Sequence, residues 1–150
     1  MSVNEVTIDA PPPAVWDVLA DPPSYEEWVV GSKEIRDHDR HWPAPGSEFH
    51  HKVGFGPFAV KDKSVSLEAQ PSLRLVMNVR ALPVGHGIAT FELREDGAAT
   101  VVVMTEHGAG GPANLLWPVF DPLIKLRNAE TLRRLKRLSE NRHRAPATRG

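Results

Sequence analysis

Six strand-like segments follow one another between residues 32 and 107 with no helical interruption, and no other feature restricts the fold as much. They read "SKEIRDHDRH", "SEFHHKVGF", "PFAVKDKSVSLEA", "SLRLVMNVRAL", "GIATFELRE" and "ATVVVMTEH". Between them stand "WPAPG", "GFGP", "AQPS", "LPVGHG" and "EDGA", which carry the Pro, Gly, Asp and Ser that turns require. A parallel pair needs a crossover of a dozen residues or more, so links this short make hairpins and an antiparallel meander. A seventh strand precedes them. In "VNEVTIDA", Val6, Ile8 and Ala10 alternate with Glu5, Thr7 and Asp9, the period of a half-buried strand.

A sheet with one apolar face needs a cover. Two proline-led segments after the first strand supply short helices. Pro11, Pro12 and Pro13 precede "AVWDVLAD", where Val15, Trp16 and Leu19 recur at helical spacing, and Pro22 and Pro23 open "SYEEWVVG", with Tyr25 and Trp28. The one element long enough to cover seven strands is the C-terminal stretch, expected as a helix over residues 112 to 140, with Pro118 and Pro122 kinking or delaying its start. Residues 141–150 read as a frayed tail. The fold class is α+β. At 150 residues, 41% hydrophobic, the chain makes a single domain, residues 1–150, without an internal linker.

The long helix poses the sharpest question. At helical periodicity Trp117, Phe120, Ile124, Asn128, Thr131 and Leu135 all fall within one sector about 80° wide, with Phe120 at one edge and Asn128 at the other. These residues form one stripe, apolar except for Asn128 and Thr131. Burying an unpaired amide costs on the order of 1–3 kcal/mol, so both need partners. Either they bond to sheet backbone, to water or to their own helix, or helix and sheet enclose a cavity in which they meet a ligand.

Several strands also put a titratable group on an apolar face. His51 is in phase with Phe49, Val53 and Phe55, and Glu106 with Val102 and Met104. Val101 and Val103 support the opposite phase of the last strand, which would turn His107 inward instead. Asp62 shares a phase with Val60, while Val65 and Leu67 lie on the other, a pattern that a bulge would reconcile. Other faces are clean: Leu73, Leu75, Met77 and Val79 on one strand, Ala89, Phe91 and Leu93 on the next. Arg74, Arg80 and Arg94 fall on the outer phase, so no strand arginine reaches the interior, which favours binding over catalysis.

Charge is unevenly placed. From Lys125 onward nine basic residues face only Glu130 and Glu140, a local balance of +7 in a chain of net charge −1. Such residues complement the negative end of a helix dipole and make a solvated terminal helix, with binding to RNA, an anionic membrane surface or a protein partner as the other readings. No specific nucleic acid is expected. There is no cysteine, and adjacent His50 and His51 point to opposite faces, so neither a metal nor another cofactor is expected. No apolar run is long enough to span a membrane, and the N-terminus lacks a signal-peptide pattern, so a cytoplasmic protein, monomer or homodimer, is expected.

The stretch "VTIDAPPPAVWDVLADPPSYEEW" resembles the opening of the polyketide cyclase/dehydrase branch of the START-like superfamily: Ala10-Pro11, Val15-Trp16, Asp21-Pro22 and Trp28 stand in its order. "WPAPGSEFHHKVGFGPFAVKD", "QPSLRLVM", "TVVVMTEH" and "LRNAETLRRL" are similar to later pieces of that family, so the likeness spans about residues 3 to 140. It implies a helix-grip fold, a curved seven-stranded antiparallel sheet wrapped around the C-terminal helix with two short helices between strands one and two. It also implies a hydrophobic cavity. The residues expected to line it are Trp28, Phe49, His51, Val53, Phe55, Met77, Val79, Phe91, Met104, Glu106, Trp117, Phe120, Ile124, Asn128 and Thr131. Aromatase/cyclases, lipid and quinone carriers and hydrophobic-ligand receptors share this fold. The primary expectation is therefore binding of a small hydrophobic or aromatic ligand such as a polyketide, lipid or isoprenoid. The alternative is a polyketide cyclase or dehydratase with His51 and Glu106 as catalytic acid–base groups and Asn128 as an oxyanion donor.

Overall fold

Strand β1 (Ser2–Ile8) ends just before the proline triplet, and α1 (Pro12–Leu19) begins inside it, with proline in its first turn where a missing N–H costs nothing. The computed structural model describes residues 1–30, 32–53, 60–81, 85–108 and 112–145. A turn of 3-10 helix over Pro22–Ser24 leads into α2 (Tyr25–Trp28). The meander follows as β2 (Ser32–His38), β3 (Glu48–Val53), β4 (Val60–Gln70), β5 (Arg74–Ala81), β6 (Gly85–Asp96) and β7 (Ala99–Gly108), and α3 (Pro112–Arg144) closes the chain.

All seven strands form one curved antiparallel sheet in the order β1-β7-β6-β5-β4-β3-β2. The first and second strands are thus the two edges. The chain must cross the whole sheet between them, and α1 and α2 make that crossing over the concave face. The Asp96-Gly97 turn between β6 and β7 is the kind that needs a left-handed residue, and Gly97 sits at φ +61°.

Aromatic side chains fill the floor under the short helices. Tyr25, Trp28, Trp42, Phe49 and Phe91 are all buried, with Tyr25 4.5 Å from Trp28 and 4.7 Å from Phe49 between ring centroids. Trp42 meets Phe49 edge-on at 4.7 Å, and Trp28 meets Phe91 edge-on at 5.8 Å. Their polar ends converge on the end of α1. The Tyr25 hydroxyl donates to the Leu19 carbonyl at 2.7 Å and Trp42 Nε1 donates to the same oxygen at 3.0 Å. Burial pushes the Tyr25 phenol far above the usual tyrosine range, so it stays a neutral donor there.

Three local expectations are corrected. On β4 the buried residues among the described side chains are Ser64 and Ser66, while Leu67 is exposed; the irregularity in pairing falls after Ser66 rather than between Asp62 and Val65. Leu73 lies in the turn before β5 and is exposed, so the inward phase of that strand begins at Leu75. The helix also outruns its expected end, continuing through residues 141–144. Arg142 reaches Asp21 at 2.9 Å, an ion pair that gives the last turn a partner in the body of the protein.

Candidate functional site

Direct pairing across the sheet puts Ser2, Glu106, Ala89, Met77 and Ser66 in one row of the concave face, and Asn4, Met104, Phe91 and Leu75 in the next. Glu106 is therefore on the inner phase, fully buried, and His107 is exposed, which settles the phase of β7. A carboxylate so placed needs donors. Helix α3 supplies them: Asn128 Nδ2 donates to Oε1 at 2.8 Å, and Arg127 Nη2 donates to Oε1 at 2.8 Å and Oε2 at 2.9 Å. Asn128 returns its own oxygen to Arg127 Nε at 3.3 Å. All three side chains hold one another.

Arg127 did not figure among the expected interior residues. A search for arginine on strand faces misses it, because it comes from the helix. Its angular position was the available signal. Helical periodicity places it about 20° outside the edge of the buried stripe that Phe120 marks, within reach of the interior for a side chain this long. The Arg127 side chain is 23% exposed and that of Glu106 1%. Nη1 of Arg127 makes no hydrogen bond among the described residues.

On the other side of the concave face, His51 is buried beside Phe49, with ring centroids 5.1 Å apart, and its Nε2 lies 3.1 Å from Ser64 Oγ. Ser64 also went unnoticed in the sequence, since a serine phase on a strand carries no apolar signal. His50 points the opposite way and pairs with Glu48 at 3.2 Å. Among the described residues no three His, Asp or Glu side chains gather in a metal-ligand set.

His51 and Glu106 are not neighbours. They sit on β3 and β7, four strand spacings apart, roughly 19 Å along the sheet surface. A single proton cannot pass between them directly. They can only act on opposite sides of a ligand large enough to reach both.

Of the remaining expected residues, Trp28, Phe49, Met77, Phe91 and Met104 share one buried core cluster, Ile124 is buried on α3, and Val79 and Phe120 are half-buried. Phe55 lies outside the described residues, as do the side chains of Val53, Asp62 and Trp117. Thr131 is buried, but it faces backbone: its Oγ1 accepts the Val30 amide at 3.2 Å, fixing the end of α2 to the helix. Neither its own helix nor a cavity is its partner in this bond.

Helix α3 lies close to β1, β7, α1 and α2, and among the described residues β3, β4, β5 and β6 make no comparable approach to it. Polar bonds line its side of β1, where Ser2 Oγ donates to Asp121 Oδ1 at 2.7 Å and Asn4 Nδ2 donates to the Lys125 carbonyl at 3.1 Å. The helix is thus tied along one side of the sheet, and its second half adds Leu132 and Leu135 to the core that Leu75, Met77 and Phe91 share.

Sequence and structure comparisons agree with this architecture. The family model described as "Polyketide cyclase / dehydrase and lipid transport" matches residues 2–140. No functionally curated protein matches the sequence significantly. A protein of Chromobacterium violaceum superposes with a TM-score of 0.69 at 19% identity, over 93% of this chain and 99% of its own. StfQ, a di-domain ARO/CYC protein of the steffimycin biosynthetic pathway, gives 0.69 at 16% identity over 96% of this chain and 46% of its own. DynU16, from the dynemicin biosynthetic locus, gives 0.64 at 20% identity over 91% and 45%. This chain spans about half the length of the last two. At these identities the likeness fixes the fold.

Proposed function

Since the chain belongs to the polyketide cyclase/dehydrase and lipid transport family, we propose that it binds a small hydrophobic or aromatic ligand, such as a polyketide, lipid or isoprenoid, between the concave sheet and α3. One observation carries this reading: the buried Glu106–Arg127–Asn128 cluster stands where a helix that only packed would present aliphatic side chains. Arg127 Nη1 is a charged donor with no protein partner among the described residues, suited to a ligand carbonyl, hydroxyl or enolate oxygen. Met77, Met104 and Ile124 offer the apolar contact.

The experiment is native mass spectrometry of the purified protein, before and after extraction with organic solvent. The expected result is an adduct that extraction removes and that proves to be an apolar molecule bearing oxygen. A protein that is ligand-free from several expression hosts, and that takes up no environment-sensitive apolar dye in its native state, overturns the reading.

The His51–Ser64 hydrogen bond favours a second reading, a cyclase or dehydratase. In it His51, oriented by Ser64, removes a proton from an activated carbon of a poly-β-ketone, and Arg127 with Asn128 anchors a remote carbonyl oxygen of the same chain on the far side. Glu106 acts in this scheme by holding Arg127, since its own oxygens already take three short bonds. His51→Ala separates the two readings. A binding protein loses no more than about 10- to 100-fold in affinity, the scale of one polar contact, whereas a catalyst loses about 100-fold or more in turnover with its fold intact.

A further inference from the structure

We propose that Glu106 is a charge filter for the interior: by neutralising Arg127, it makes the site take ligands whose polar end is an uncharged carbonyl or hydroxyl and turn away carboxylates and other anions. The proposal rests on the reading that the sheet and α3 hold an apolar ligand, and it narrows which ligand that is.

The charge balance carries it. Both oxygens of Glu106 accept from one nitrogen of Arg127, at 2.8 and 2.9 Å, and Asn128 Nδ2 adds a third bond at 2.8 Å. The Glu106 side chain is 1% exposed, so water does little to spread its charge. One cation and one anion face each other, and the cluster as a whole is neutral. Arg127 therefore brings an unused donor, Nη1, but no unused charge.

A carboxylate and a carbonyl fare differently at such a donor. An oxygen that accepts from Nη1 stands roughly 5 Å from the nearest Glu106 oxygen, given ordinary hydrogen-bond lengths on a planar guanidinium. A ligand carboxylate would set a second negative charge beside a buried first one, after giving up its own hydration. An uncharged oxygen keeps the charge-assisted hydrogen bond and brings no repulsion. An enolate is disfavoured for the same reason as a carboxylate.

No other cation on this face reverses the balance. Among the described residues no lysine or arginine is buried outright, and the buried histidine, His51, sits four strand spacings away. Arg74 is engaged by Glu68 and Glu92, Arg134 by Glu130, and Lys136 by Glu140 and the Thr7 carbonyl. Lys125 and Arg133 are exposed.

Matched fluorescent probes test the filter. 1-Pyrenebutyrate and 1-pyrenebutanol share an aromatic body, cis-parinarate and its methyl ester share a chain, and each pair differs in charge at the oxygen end. Affinities are compared at about pH 7.5, where both acids are ionised. The wild type should bind the uncharged member of a pair about 10-fold tighter or more. Any apolar pocket disfavours an ion, so the variants decide. Glu106→Gln keeps an acceptor and removes the charge: the acid should gain about 10-fold or more, while its uncharged partner changes by less than about 3-fold. Glu106→Asp keeps the charge and should keep the preference. Glu106→Ser, which leaves room for a water, is the second uncharged replacement and repeats the test should the glutamine variant not fold. A wild type that binds an acid as tightly as its uncharged partner overturns the proposal and leaves the binding reading standing, as does a folded uncharged variant that retains the full preference. A wild type that binds none of the four probes overturns both.

Discussion

The amide of Asn128 donates to the carboxylate of Glu106 at 2.8 Å, joining α3 to β7 across 22 positions of sequence. This bond sets what the loss of Asn128 costs. If Asn128 faced an open cavity with only water or ligand as partner, replacing it with Leu would leave stability level. With a buried carboxylate as partner, Asn128→Leu strips one donor from Glu106 and sets an apolar group against its charge. The expected cost is about 1–3 kcal/mol, read as a lowered urea midpoint at unchanged slope. Asn128→Asp should cost more, since it faces one carboxylate with another.

The Arg127–Glu106 pair predicts an asymmetry. Glu106 is the buried partner and Arg127 is partly open to solvent. Arg127→Met leaves a buried carboxylate with one amide donor, a loss of about 3 kcal/mol or more. Glu106→Gln keeps an acceptor for Asn128, and the arginine can turn to water, so a smaller loss is expected. Denaturation of both single variants and the double variant gives the coupling, and equal losses would show that the carboxylate is not the costlier group to strand.

The meander was legible because alternation and turn residues speak in the same places: "MNVR" and "TFEL" alternate, and Gly97 stands where the hairpin needs it. The proline-led helices were legible for a similar reason, since proline is informative about where a helix can begin. The site was only half legible. Glu106 and Asn128 announced themselves as polar residues in apolar stripes, but Arg127 was hidden by its length, which lets a residue at the stripe's edge reach inward. Ser64 and Ser66 were hidden because serine is mostly exposed in folded proteins, so a serine phase reads as the outer one. Thr131 was recognised as needing a partner, yet the partner is the Val30 amide, 101 positions away, and no periodicity encodes that.

That contact makes Thr131→Val informative. Valine has nearly the same shape and no acceptor, so the substitution leaves the Val30 amide without its bond. A loss of about 1 kcal/mol is expected. Hydrogen exchange at Val30 should accelerate, while amides in β6 and β7 keep their protection relative to global stability. Uniform acceleration across the sheet would mean that Thr131 supports the core generally rather than the end of α2.

The last turns of α3 predict a pH dependence. Glu140 is mostly buried, with 13% of its side chain exposed, and it accepts the Asp9 amide at 2.8 Å while pairing with Lys136. Burial raises its pKa, but the Lys136 hydrogen bond, the Asp9 amide and the charges of Lys136 and Arg144 together outweigh that and hold it below the ordinary value of 4.5. A carboxyl with a depressed folded pKa binds protons more readily when unfolded, so its stabilising contribution is present above pH 4.5 and is lost as pH falls through the lower folded value. Glu140→Gln removes that dependence. The variant should be less stable than wild type at pH 7, and the gap should close between about pH 5 and pH 3. Glu130, held low chiefly by its hydrogen bond from Arg134, titrates in the same acid range but is present in both proteins and cancels in the difference. Urea midpoints at a series of pH values measure the gap directly. A gap that stayed constant down to pH 3 would show that the glutamate contributes through shape alone, and that the anchoring of α3 to the end of β1 does not depend on its charge.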